Sequence, residues 1–466
     1  MNKQQDSTAT AGAAPSVAGV LVSIFVPDEH PLLRLKATLD WEALTAVMVE
    51  HWRAAGKNVD GGRGLPWPVQ FYVPLLVLMW LECLHARQME KYLSESVVAR
   101  RFLDLTSAQQ MHVRDHSNIA RAEAALGAAG KAAVNALLLR QAKELNFTNG
   151  AVLSSDTTVQ EPAFGYPNEP GILKGWAERL ARSFKKLSAR GVAGAQAGLE
   201  QTKEIIRQVK QHHLWAKTQE EKKELLTKLV ETSAELLKQT QAVIQQVSTR
   251  CGQAKQKAVA KLKDMVAVGR RLLPQIKHWL KTGKVAAGKI IHVGLQEARA
   301  IVKGKRQVKF GFKWRLNRLC GGYVFGRRVA AQADENRQPA GALKDYREVF
   351  GKTATPELIV YDRGASAAAV APELYKAGVA QVGIPPRGQG AWLVGEKEQK
   401  AVKSERGKTE GSIGKLKSSK YRFSGRQERS VATQEAAGQR AFVSANLNTL
   451  LRDVLQQDQA ARQPQH

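Results

Sequence analysis

Three carboxylates in this 466-residue chain sit where chemistry is done: Asp156 inside the β-branched stretch AVLSSDTTVQ, Asp362 directly after the apolar run LIVY, and Glu410 within the basic segment ERGKTEGSIGKLK. An acid inside a strand is disfavoured unless it has a partner, and active-site carboxylates commonly stand at the carboxyl ends of strands in α/β sheets. Taken singly, Asp362 reads equally well as the turn residue of DRG, and Glu410 as one solvated acid on a basic helix. Taken together, oxygen-only ligands repel one another and are normally held by a hard cation such as Mg²⁺. Two such ions, roughly 3.5 to 4 Å apart, serve phosphodiester chemistry by activating the attacking oxygen and stabilising the leaving one, without a covalent protein nucleophile. The cations Arg406, Lys408, Lys415, Lys417, Lys420 and Arg422 crowd around Glu410, where they could bind phosphate.

The elements that must position these acids follow from periodicity. Asp40 is the natural N-cap of a helix in which Trp41, Leu44, Val47, Met48 and Trp52 recur at helical spacing, and similar patterns resume over 75–84 and 89–102. A compact helical region is expected over 26–149, in which RDHSNIARAEAALG could form a helix-turn-helix or simply pack. At Gly150 the pattern changes to a strand that carries Asp156 and ends in a proline-rich turn. From 171 to 273 there is no proline and the composition is that of long helices, read as an insertion over 171–305. Within it Leu226, Val230, Ser233, Leu237, Thr240, Ile244 and Val247 follow a helix-helix seam, which Ser233 and Thr240 weaken towards an intramolecular hairpin. Two β-rich runs then flank CGG at 320–322 as a hairpin would. A strand over 358–361, a helix over 367–377, a strand over 380–384, the basic helix with Glu410 and a last helix over 434–455 complete the order. The fold class expected is α/β. Its mixed-sheet core lies in two pieces, 150–170 and 306–455, broken by the insertion and preceded by the helical domain, with loose tails at 1–25 and 456–466.

Composition restricts the partners. The chain has 71 Lys and Arg against 42 Asp and Glu, a formal charge of +29 and a pI near 10.1, so a polyanion is expected, nucleic acid first. Cys83, Cys251 and Cys320 are far apart and odd in number, which argues against a disulfide framework or a zinc site and fits a reducing cytoplasm. The apolar run 71–81 holds Pro74 and is too short to span a bilayer, so it is expected as a buried helix and no membrane partner is foreseen. GKVAAGKI at 283–290 nearly matches a phosphate-binding loop but has Ile290 where a hydroxyl must meet Mg²⁺, so no nucleotide cofactor is expected. His212 and His213, adjacent on a helix, point to different sides and form no metal pair. The lysine-rich helices between Lys174 and Lys305 read either as solvated faces or as sequence-independent DNA contacts.

SSDTTVQEPAFGYPNEPGIL, VYDRGAS and RGKTEGSIGKLK together resemble bacterial insertion-sequence transposases of the DDE type, which have a ribonuclease-H-like catalytic core. Many of those enzymes carry Tyr, two residues, Arg, three residues, Glu, six residues, Lys; this chain has Arg406, Glu410 and Lys417 at that spacing, with Lys403 in place of the tyrosine. PDEHPLLRLKATLDWEAL resembles their helical N-terminal domain, so the likeness covers most of 26–455. The resemblance implies metal-dependent cleavage and strand transfer at the inverted-repeat ends of an insertion sequence. Asp156 and Asp362 would share one Mg²⁺ and Glu410 would complete the shell of a second, with Mn²⁺ able to substitute. Arg406 and Lys417 would hold a DNA phosphate, and Trp392, in a loop between core elements, would either stack on an unpaired base or be buried. Double-stranded DNA, as transposon ends and target, and a homo-oligomeric DNA complex are the partners implied. A recruited DNA-binding protein without activity, and a nuclease that cuts but does not join, are the rivals.

Overall fold

The structure, a computed structural model, describes residues 26–60, 65–105, 115–247, 252–303, 307–386, 390–426 and 430–462. The chain divides into two compact units, the first made of 1–160, 313–426 and 432–466, the second of 161–312 with 427–431. The cuts therefore fall at 160/161 and 312/313 rather than at 170/171 and 305/306.

Among the described residues of the first unit, six helices come before any strand: α1 (Pro31–Thr38), α2 (Trp41–Ala54), α3 (Val69–Leu81), α4 (Ala86–Glu95), α5 (Val97–Phe102) and α6 (His116–Glu144). Asp40 caps α2 as expected, its side chain accepting from the Ala43 amide at 2.9 Å, and the 3.6-residue period buries Leu44, Met48 and Trp52. Pro74 lies inside α3, which is buried on nearly all sides from Tyr72 to Leu81. The segment weighed as a helix-turn-helix is one helix, the first half of α6: Asp115 caps it, Ile119, Ala122 and Leu126 are buried, and the break comes only at Gly127, whose φ of 60° and ψ of −160° leave the helical region. By length and composition α6 could cross a membrane. Here its Val134, Leu138 and Leu139 lie in the core.

The sheet follows. β1 (Val152–Gln160) lies between β3 (Gln307–Leu319) and β5 (Leu358–Val360), β4 (Val324–Arg328) pairs antiparallel with β3, and β6 (Gln381–Gly383) runs parallel to β5, which runs parallel to β1. The hairpin turn is the expected CGG, a 3₁₀ turn in which Gly321 and Gly322 have φ of 81° and 91°. A Cβ on Gly321 would come within 2.6 Å of the Phe147 carbonyl oxygen, so no other residue fits that turn without movement. Helices α11 (Gln338–Phe350), α12 (Ala367–Lys376), α13 (Glu396–Lys417) and α14 (Val431–Arg462) complete the unit. One core unites helices and sheet: Leu44, Trp52 and Trp80 belong to the same buried cluster as Leu153, Ile359 and Val382. α14 runs seven residues beyond Leu455 to Arg462, and Asp458, placed in a tail by the sequence, receives both the Arg34 Nε (2.6 Å) and Nη2 (2.5 Å).

The second unit is a four-helix bundle with a β-ribbon. α7 (Glu169–Ser188), α8 (Ala195–Trp215), α9 (Gln219–Gln246) and α10 (Gln253–Thr282) pack in a ring, each against two neighbours. Trp176 is fully buried in it and donates to the Met265 carbonyl at 2.8 Å. The seam on α9 is turned inward, with Leu226, Val230, Ser233 and Thr240 buried, joined by Leu229, Leu236 and Val243, which widen it into a bundle face. α10 continues past Pro274 by two turns. The expectation of helix throughout 171–305 fails at its end, because β2 (Arg299–Lys303) pairs antiparallel with 307–311 of β3. Its alternating RAIVK was masked by the lysine-rich surroundings. The segment 283–290 follows a helix rather than a strand, without the strand-to-helix turn that a phosphate-binding loop requires.

Candidate active site

Two neighbouring strands position two of the three acids. β1 and β5 pair in parallel with Val152 beside Leu358 and Ser154 beside Val360, where β5 ends; Asp362 follows two residues on, and it and Asp156 line one cleft. Adjacent strands lie about 4.8 Å apart, and residues two apart on a strand share a face, so Ser154 and Asp156 point the same way. Asp156 keeps its Oδ1 against the Thr157 amide at 2.6 Å. Asp362 closes a turn and borders the cleft. Its Oδ1 accepts the Gly364 amide at 2.8 Å, closing the turn of DRG, and its carboxylate also lines the cleft. A Cβ on Gly364 would stand 2.7 Å from that oxygen.

α13 brings the third acid. Val402 on this helix packs with Leu358 and Val360, and the missing side chain of Gly383 admits it, since a Cβ there would lie 2.4 Å from Val402 Cγ2. Seven residues on, the buried hydroxyl of Thr409 is hydrogen-bonded to that of Ser154 on β1 at 2.7 Å. Glu405 on the same helix accepts Arg318 Nη1 of β3 at 2.6 Å, with both side chains largely buried. These three contacts fix the rotation of α13, so Arg406 and Glu410 face the cleft that Ser154, Ser155, Asp156, Asp362 and Thr409 complete.

The remaining cations divide. At about 100° per residue, Lys417 falls on the helix face of Arg406 and Glu410, whereas Lys408 and Lys415 fall on the opposite one. Lys408 pairs with Glu405 at 2.7 Å. Lys420 and Arg422 follow the helix; Lys420 donates to Asn448 at 2.6 Å and stands over the Tyr421 ring. Of the six, only Arg406 lines the cleft. Trp392 is half-buried against the cluster of Leu358, Val360 and Val402.

Sequence reasoning missed Ser154, Ser155 and Thr409. The available signal was SSDTT, five polar residues in a strand otherwise buried, of which Ser155 keeps its Oγ out of contact with water and with no partner among the described residues. It also missed Tyr361, whose hydroxyl donates to Glu335 at 2.5 Å while Lys313 holds the other oxygen of Glu335 at 2.6 Å. Burial first, then Glu335, then Asp362 and Asp156 push the Tyr361 phenol far above its ordinary range, so it stays a neutral donor beside the acids.

The donor set suits a hard divalent cation: oxygens only, on three rigid elements, with one arginine. Among the described residues no three acidic, histidine or cysteine side chains converge closely enough to form a ready-made cage. Asp156 and Asp362 each accept one local backbone amide, from Thr157 and Gly364.

Residues 21–124 match the family model of a transposase domain (DUF772). The match supports a transposase family and a DNA-processing role, and it lies on α1 to α6, outside the cleft. No curated protein and no solved structure matches the chain.

Proposed function

We propose that the chain is a DDE-type transposase that cuts DNA at the inverted-repeat ends of an insertion sequence and joins the freed 3′-hydroxyl to target DNA, acting as a homo-oligomer on the DNA in the bacterial cytoplasm. One observation carries the reading: acids 206 and 48 positions apart in the sequence line one cleft together with Arg406. The order strand, insertion, hairpin, helix, strand, helix, strand, helix, in which α11 stands between the hairpin and β5, supports taking the sheet as a ribonuclease-H-like core. Asp156, Asp362 and Glu410 would hold two Mg²⁺ ions, replaceable by Mn²⁺, which when bound supply the charge that activates the attacking oxygen and stabilises the leaving one. Arg406 orients a phosphate in the cleft and Lys417 holds the strand further along the same helix face. The amide of Gly364 fixes the Asp362 carboxylate, and the Thr409–Ser154 bond fixes the height of Glu410.

The test is incubation of the protein with Mg²⁺ or Mn²⁺ and DNA bearing the inverted repeats that flank its gene. Joined products support a transposase; cleavage without joining favours a nuclease, and neither reaction with binding intact favours a recruited DNA-binding protein. Gly364→Ala reports on the turn alone. Displacing Asp362 by an ångström or so should cut cleavage about 100-fold, with the thermal midpoint within a few degrees of wild type. Cleavage at the wild-type rate would show that the Gly364 turn does not position Asp362.

A further inference from the structure

The charges of the second unit are distributed unevenly. Residues 161–312 hold 30 Lys and Arg against 12 Asp and Glu, a net of +18 out of the chain's +29. On α9 four basic residues meet five acidic ones; on α7 five meet two and on α8 three meet two, with the pairs Lys174–Glu178, Lys203–Glu200 and Arg207–Glu204 along the helices. α10 has eight basic residues against Asp264 alone. Four of them, Lys263, Arg270, Lys277 and Lys281, are spaced 7, 7 and 4 apart, which at about 100° per residue holds them within roughly 40° of arc. All four are exposed, and among the described residues none pairs with a carboxylate. Asp264 lies about a quarter-turn or more away from this row. The side chains between the charges on that face are Ala267 and Pro274, small enough to let a strand approach.

A solvated helix face has no need of this arrangement, since like charges four apart, as Lys277 and Lys281, destabilise a helix and mixed signs serve solubility better. A row of unpaired cations about 27 Å long, at 1.5 Å per residue over 18 residues, suits a polyanion of similar length. We propose that this face of α10 is a sequence-independent binding site for the sugar-phosphate backbone of duplex DNA, separate from the cleft residues. The choice of DNA rests on the transposase reading; the site itself rests on the charge row. Lysine and arginine heads that neutralise phosphates release counterions, and their number appears as the slope of log affinity against log salt, about 0.9 per contact.

The experiment uses the full chain, a duplex of arbitrary sequence and EDTA, so that binding is read without cleavage. In the variant Lys263→Gln/Arg270→Gln/Lys277→Gln/Lys281→Gln the salt slope should fall by about three to four, so that between 50 and 200 mM salt the wild type loses roughly 100-fold more affinity than the variant. Lys222→Gln/Lys223→Gln/Lys228→Gln on α9 should leave the slope unchanged. A second measurement needs no variant: in the wild-type protein, amine acylation of Lys263, Lys277 and Lys281 should be suppressed by DNA while Lys222 and Lys223 remain reactive. Equal slopes for wild type and quadruple variant, or acylation of the α10 lysines unaffected by bound DNA, overturns the site. So does protection by vesicles of phosphatidylserine but not by DNA. Asp156→Ala should bind as wild type here, so an inactive cleft and an absent α10 site give different results.

Discussion

On the proposed reading, Asp156→Ala and Asp362→Ala should each abolish joining and lower strand cleavage by at least about a thousandfold, because the charge stabilisation a metal centre would supply is several kcal/mol and each 1.4 kcal/mol is tenfold. The two substitutions should be equivalent because both acids line one cleft and neither can replace the other. Glu410→Ala falls in the same class, since α13 brings that side chain into the same cleft from the other side. DNA affinity in EDTA should not fall in any of the three, because the carboxylates repel phosphate and removing one removes repulsion. Arg406→Ala separates from them by weakening both binding and cleavage, because it removes an attractive charge from the cleft. Gel assays of nicked and joined products over a Mn²⁺ titration, with anisotropy for binding, resolve these outcomes. Joining by Asp362→Ala at the wild-type level would sink the assignment of this cleft.

How far the sequence carried depends on the kind of signal. Period and capping are local, so Asp40 as an N-cap, the CGG hairpin and the strand ending before Asp362 were all legible. Thr409 was not, because its partner Ser154 is 255 positions away and nothing in TEGS distinguishes a threonine that docks a helix from one facing water. The six basic residues around Glu410 were legible as charge but not as geometry. Proximity in sequence grouped them, whereas helical rotation sends Lys408 and Lys415 to the opposite side from Arg406. β2 was lost for a related reason: five residues of alternation between lysine-rich stretches carry less weight than the composition around them, and only pairing with β3 reveals them as strand. Asp458 shows the limit at chain ends, where an exposed helical composition becomes ordered through an ion pair with Arg34 that no local pattern foretells.

The largest loss of stability is expected away from the cleft, at Asp345 on α11. Its carboxylate, 3% exposed, accepts Arg315 Nε at 2.7 Å, Arg315 Nη2 at 2.9 Å and Asn317 Nδ2 at 2.9 Å from β3, and pairs with Arg327 Nε of β4 at 2.6 Å. Asp345→Ala leaves the Arg315 guanidinium buried and uncompensated, with Gln338 as its one remaining partner among the described residues, and should cost about 3 to 5 kcal/mol. Arg315→Met/Asp345→Leu removes both charges and replaces them with apolar volume, so it should recover most of that loss, because a buried pair has little net value over a well-packed apolar one. Urea denaturation midpoints at constant slope measure both, and a loss below about 1 kcal/mol for Asp345→Ala would show that the guanidinium finds water or another partner. The same β3 that Asp345 anchors carries Arg318, which holds Glu405 and hence α13. Asp345→Ala should therefore lower cleavage through the fraction unfolded and a loosened α13, and the double substitution should restore cleavage along with stability. No second substitution outside the cleft should do so for Asp156→Ala, and that contrast distinguishes a residue that supports the cleft from one that lines it.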